Sequence, residues 1–138
     1  MNSQQARRFL EENPSFSFLV DCAAASQWQY VDENLDRVVC EDPQPAIAWA
    51  IESLESPNED LRNLAASIFE MLNGELPEGI PERLDRLVNA RIGKYDRFRA
   101  ACALEKHGHT SPIVTARLNE FLDDPRVALI ARKYLGLD

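Results

Sequence analysis

The stretch Asn58-Glu-Asp-Leu-Arg-Asn-Leu-Ala-Ala-Ser-Ile-Phe69 decides how this chain is organised. Its apolar positions Leu61, Leu64, Ala65, Ile68 and Phe69, continued by Leu72, recur at the three-and-four spacing that lines one side of an α-helix. Asp60 stands where a carboxylate can cap that helix by accepting a bond from a free backbone N–H, and Arg62 follows two positions later. Gly74 lies where the helix should stop, since glycine enters the left-handed conformation past a helix end at no steric cost. The alanines at its middle let a neighbouring helix come close where larger side chains would hold it off.

Upstream, Pro45 opens the run Pro-Ala-Ile-Ala-Trp-Ala-Ile-Glu-Ser-Leu54, with Ile47, Ile51 and Leu54 at helical spacing. Proline suits a first turn, whose N–H groups have no intrahelical partner. The same order returns downstream. Pro81, Leu84, Leu87 and Val88 lead to Asp96, Phe98, Arg99, Ala101, Cys102 and Gly108. Pro112, Val114, Leu118, Phe121 and Leu122 lead to Asp124, Arg126, Val127, Ile130, Ala131, Tyr134 and Gly136. The aspartates lie 15, 15 and 12 residues beyond their prolines, and the glycines 14, 12 and 12 beyond the aspartates. Proline, helix, Asp-x(1–2)-Arg, helix and glycine in phase three times predict three stacked antiparallel helix pairs, over 45–74, 81–108 and 112–136.

Residues 1–44 are helical but less regular. A short helix over 3–12 should end at Asn13-Pro14, because the residue before proline disfavours the α region. Ser15 or Ser17 can cap a second, carrying Phe18, Leu19, Cys22 and Ala23; a third, with Val31, Leu35, Val38 and Val39, ends at Asp42-Pro43. These read as a divergent pair and an end cap. No segment alternates with period two, so no sheet is expected. The prediction is one all-α domain over 1–138. Asn58–Phe69, and next Asp124-Pro-Arg-Val-Ala-Leu-Ile-Ala131, resembles a HEAT repeat. The resemblance implies a right-handed α-solenoid that binds or scaffolds other proteins, with its second helices lining the inner face. It also implies a bonding ladder of aspartates and arginines between repeats. The 81–108 unit departs from the pattern: Arg99 comes one position late, and Glu105 and Lys106 stand where an apolar residue belongs.

At 138 residues, 45% hydrophobic and 28% charged, the chain is long enough to bury a stable core and too apolar for disorder. Its formal charge of −8 weighs against a general nucleic-acid binder. Residues 1–60 hold three basic and twelve acidic side chains, a net of −9, so a partner with a basic patch would meet that half first. Cys22, Cys40 and Cys102 are odd in number and widely spaced, as free core thiols are. No signal-peptide pattern opens the chain and no apolar run reaches membrane-spanning length, so a cytoplasmic protein is expected.

Catalytic motifs are missing: there is no GxSxG, phosphate loop or HExxH, and no cofactor is expected. His107 and His109 flank the helix-breaking Gly108 without a third ligand at metal spacing, so no metal is expected. The reading that remains is a non-catalytic protein-binding module: an adaptor, regulatory subunit or inhibitor. Its candidate inner-face contacts are Asn63, Ser67, Glu70, Arg97, Lys106, Arg132 and Lys133. Trp28 and Tyr30, beside Asp32, Glu33 and Asp36, either meet a basic partner or pack on the N-terminal helix. Trp49 either fills the seam with the preceding helix through Ala46 and Ala50 or anchors an interface. The stretch 83–106 carries a net +4, with Arg91, Lys94 and Arg97 around Tyr95, and is the candidate site if the partner is nucleic acid. A lyase-like enzyme would instead show a pocket with a shifted titratable group.

Overall fold

The computed structural model describes residues 14–137, and the helix expected over 3–12 lies outside them. The described residues form helices α1 (Pro14–Ala24), α2 (Trp28–Glu41), α3 (Pro43–Ser53), α4 (Glu59–Met71), α5 (Ile80–Asn89), α6 (Tyr95–Lys106), α7 (Pro112–Asn119) and α8 (Ala128–Leu135), with no strand among them. The protein is all-α.

The termini show which local signals act. Pro14 lies inside α1, so Ser15 and Ser17 sit within the helix and neither caps it. Helix α3 starts at Pro43, two residues before Pro45, because both prolines fit a first turn. Asn58, not Asp60, caps α4: its Oδ1 accepts from the N–H groups of Asp60 at 2.8 Å and Leu61 at 3.2 Å. Asp60 and Asp96 instead fall in the first turns of α4 and α6, where a carboxylate is favoured by the helix dipole. Ser111 caps α7 through the N–H of Val114, and α7 ends at Asn119, so Phe121 and Leu122 belong to the following turn. Gly136 closes α8 in the left-handed conformation at φ 70°.

Packing follows the alanines. The most extensive contact joins α4 to α6, and α3 on α4, α5 on α6 and α7 on α6 come next among the later helices. Ala65 and Ala66 on α4, and Ala100, Ala101 and Ala103 on α6, are fully buried, as are Phe69 and Phe98. Each large side chain buried this way contributes about 1.5–3 kcal/mol. Helices α2, α4, α6 and α8, the second of each pair, touch in succession, and α1 packs on both α2 and α4. Trp49 is 3% exposed and meets the Phe16 ring edge-on at 5.3 Å, so it fills the seam between α3 and α1.

Candidate functional site

Side-chain bonds tie the starts of the second helices together. Trp28 on α2 donates its indole N–H to Asp60 Oδ1 at 3.0 Å, and the Ser26 hydroxyl donates to Oδ2 at 2.6 Å. Arg62 on α4 donates Nε–H to Asp96 Oδ2 at 2.9 Å, and Tyr95 on α6 donates its hydroxyl to Asp124 Oδ2 at 2.7 Å before α8. In each rung the aspartate of one unit accepts from the unit before it, 29 to 34 residues away. Arginine supplies only one rung; a tryptophan with a serine and a tyrosine supply the others. Backbone is joined as well, because Glu59 Oε1 accepts the Lys94 N–H at 2.7 Å and so caps the start of α6 from α4.

Arg99 takes another course. One residue's delay turns a side chain by about 100° around a helix, and Phe98 occupies the core position instead. Arg99 therefore reaches Glu70 Oε1 at 2.9 Å, while Tyr134 of α8 donates to Glu70 Oε2 at 2.8 Å. One carboxylate thus joins α4, α6 and α8. Burial, and after it the Glu70 charge, pushes the Tyr134 hydroxyl well above its ordinary range.

Some of these bonded residues, Ser26, Trp28, Asp60, Glu70, Tyr95 and Arg99, line a cavity of about 470 Å³ on the second-helix face. Its apolar wall includes Trp28, Leu35, Met71, Val127 and Ile130; its polar wall includes Asn63, Ser67 and the charged groups Asp32, Asp60, Glu70, Arg99 and Arg126. Ser67 donates its hydroxyl to the Asn63 carbonyl at 2.8 Å, which orients the floor. Asp32 lies one turn beyond Trp28 on the same side of α2. Although the residue is exposed, desolvation pushes its carboxyl above the usual carboxylate range, a shift that Arg99 and Arg126 oppose. Arg126 lies over the Tyr95 ring, 4.8 Å from its centroid. Burial, the largest cause, also raises the Cys102 thiol, which is fully buried.

Five of the residues picked from sequence meet at this cavity: Trp28, Asn63, Ser67, Glu70 and Tyr95. The others lie elsewhere. Tyr30 stacks edge-on with the exposed Phe18 at 4.8 Å, and Trp49 is in the core. Lys106 is the last residue of α6, beside His107 and at the end far from the cavity, and Arg132 and Lys133 are exposed on α8. Arg132 donates to the Leu137 carbonyl, and Lys133 lies 5.3 Å from the Tyr134 ring centroid. Arg91, Lys94 and Arg97 flank the start of α6, and Arg97 and Lys94 line a separate, shallower hollow. Sequence reasoning missed Asp32, Arg99 and Arg126 as cavity residues. The signal for Arg99 was present in its one-position delay.

The basic stretch is divided by the fold. Arg83 and Arg86 both reach Glu55 Oε1, at 3.0 and 3.3 Å, Arg99 pairs with Glu70, and Lys94 stands 3.7 Å from Asp124. Among the described residues no group of His, Cys, Asp and Glu is arranged to hold a metal. His107 is occupied otherwise, with Nδ1 3.1 Å from the Gly74 carbonyl and Nε2 2.9 Å from that of Phe69. No helix among the described residues is long and apolar enough to cross a membrane. No family model, curated protein or solved structure matches the chain.

Proposed function

We propose that the protein is a non-catalytic binding module, a small HEAT-like right-handed α-solenoid that holds another protein against its second helices. The observation that carries this reading is the series of rungs between successive second helices, Trp28–Asp60, Arg62–Asp96 and Tyr95–Asp124, the first and last of which hold Trp28, Asp60 and Tyr95 in the cavity wall. Groups tied in this way are ordered before a partner arrives, so association loses little conformational entropy. The net charge of −9 over residues 1–60 favours a partner with a basic patch, speeding encounter at low salt. Cys40, expected from the sequence as a core thiol, is exposed instead, and a free exposed thiol suits a reducing compartment and supports a cytoplasmic protein.

The test is capture by the tagged protein from its host's lysate at low and high salt, with Ile130→Glu as control. Ile130 lines the cavity and is only partly buried, so the variant keeps its helical circular dichroism. The expected result is one basic protein, held at low salt, weakened at high salt and lost in the variant. A polynucleotide in the eluate, or a partner retained equally by Ile130→Glu, overturns the reading.

An enzyme is the second reading, and one observation favours it: the raised Asp32 carboxyl lines a cavity. Against it, no described side chain stands at hydrogen-bond distance from Asp32 to act as nucleophile or second acid, and a lone carboxylate does not make a lyase site.

A further inference from the structure

The charges around the cavity do not cancel. Arg99 is neutralised by Glu70 at 2.9 Å. Arg126 lies over the Tyr95 ring, and its backbone N–H, after the Tyr95 hydroxyl, helps to hold the Asp124 carboxyl below the usual range. Asp60 is bonded, but to the neutral donors Trp28 and Ser26. Asp32 has no hydrogen bond and no ion pair within 4 Å among the described residues. Three carboxylates therefore face two guanidiniums, and the excess is near the start of α2, where Asp60 accepts the Trp28 indole N–H and Asp32 lies one turn beyond Trp28.

We propose that the cavity receives a cationic side chain, arginine or lysine, of the partner protein, with Asp32 as its counter-ion and the Trp28 ring as its apolar wall. The proposal rests on the binding-module reading and names the group which that face recognises. A long cationic side chain matches the site in each part. Its methylene stem lies along Leu35, Met71 and Ile130, and its charged head replaces lost water with the Asp32 carboxylate. An anionic side chain would face the same excess of carboxylates and be repelled. A neutral one would leave the Asp32 charge desolvated without compensation.

The experiment uses the full chain labelled with ¹⁵N and the peptides acetyl-Gly-Arg-Gly-amide and acetyl-Gly-Lys-Gly-amide. The controls are the isosteric neutral citrulline peptide and the glutamate peptide. The chain has two tryptophans, so the Trp28 indole N–H is identified by loss of the other signal in Trp49→Phe. Either cationic peptide is expected to shift the Trp28 signal with a Kd of about 1–10 mM. The citrulline peptide, and either cationic peptide on Asp32→Asn, should bind about fivefold more weakly or worse. The stronger of the two cationic peptides identifies the side chain. Equal binding of the citrulline peptide, full affinity in Asp32→Asn, or no shift with either cation at about 10 mM overturns the proposal. If the peptides fail while capture from lysate still depends on Ile130, the cation site falls and the binding module stands. If capture is also indifferent to Ile130→Glu, both fall.

Discussion

Replacing Arg62 by methionine removes one partner of a buried ion pair and keeps a similar aliphatic stem. Asp96 is fully buried, and among the described residues its Oδ2 has only the Arg62 Nε–H at 2.9 Å and its Oδ1 has no hydrogen-bond partner. The Arg62 side chain is 12% exposed and also donates to the Ser56 carbonyl at 2.8 Å. Removing the cation leaves an uncompensated charge in the interior, which costs about 3–5 kcal/mol. That is a large share of the roughly 5–15 kcal/mol that holds a domain folded. For a chain of this length the melting temperature should fall by about 10–20 °C. Asp96→Asn keeps the shape and removes the charge, so it should cost less, about 1–3 kcal/mol. In the double variant the stranded charge is gone, and its loss should be smaller than the sum of the singles by about 2 kcal/mol. The assay is urea unfolding followed by circular dichroism at constant m, which separates a change in stability from a change in the unfolded chain. A loss below about 1 kcal/mol for Arg62→Met would show that the rung behaves as a surface pair. Additivity within about 0.5 kcal/mol would show that the two residues are not coupled.

Ala65→Leu and Ala131→Leu each add bulk where the side chain is fully buried, and each should lower stability by about 1–3 kcal/mol in the same urea assay; parental stability in both would mean the helix seams are not alanine-lined. Gly93 has φ +90°, which L side chains rarely adopt, and a Cβ there would overlap Asp96 Oδ1, so Gly93→Ala should cost at least about 1–3 kcal/mol in the same urea assay; parental stability would mean that the turn and the Asp96 carboxylate both give way freely. Two carboxyls should shift the pH profile in opposite directions. Asp32 is raised by desolvation, so the folded state holds its proton more tightly; stability falls as pH rises from 3.8 through the raised value, and Asp32→Asn should melt higher than the parent at pH 7 but not in acid. Asp124 is lowered, first by the Tyr95 hydrogen bond, so its contribution is present above 3.8 and disappears as pH falls through the depressed value; Asp124→Asn should melt lower at pH 7 and converge with the parent in acid. Thermal melts of both variants at neutral and acid pH check the pair.

The helices were legible because their signals are local. Apolar spacing, first-turn prolines and terminal glycines lie within a dozen residues of what they control, and α2 and α6 fall where those signals place them, whereas α4 ends at Met71 with an extended Leu72, short of the stop expected at Gly74. Boundaries slipped where two residues of equal fitness compete: Pro43 over Pro45, and Asn58 over Asp60. Asp60 was freed from capping by the Trp28 indole, a partner 32 residues distant that no local pattern displays. The candidate site was legible to the same extent. Helical phase brought Asn63, Ser67 and Glu70 to one side of α4, and that much follows from periodicity. The approach of Asp32, Arg99 and Arg126 depends on how separate helices are turned against each other, which is a tertiary quantity.

Glu70 bonds Arg99 with one oxygen and Tyr134 with the other, and Tyr134 lies 64 residues away. In a row of helix pairs that touch only their neighbours, each unit unfolds nearly on its own account and the terminal pair frays first. A bond from α4 to α8 that skips a unit changes that statistical picture. Opening α8 must break a contact with the middle of the molecule, so the end unit loses its freedom to fray alone. Native-state hydrogen exchange should then show α8 amides opening together with those of α4 and α6 as one cooperative unit. A three-way carboxylate of this kind should therefore make the last helix melt with the middle of the molecule.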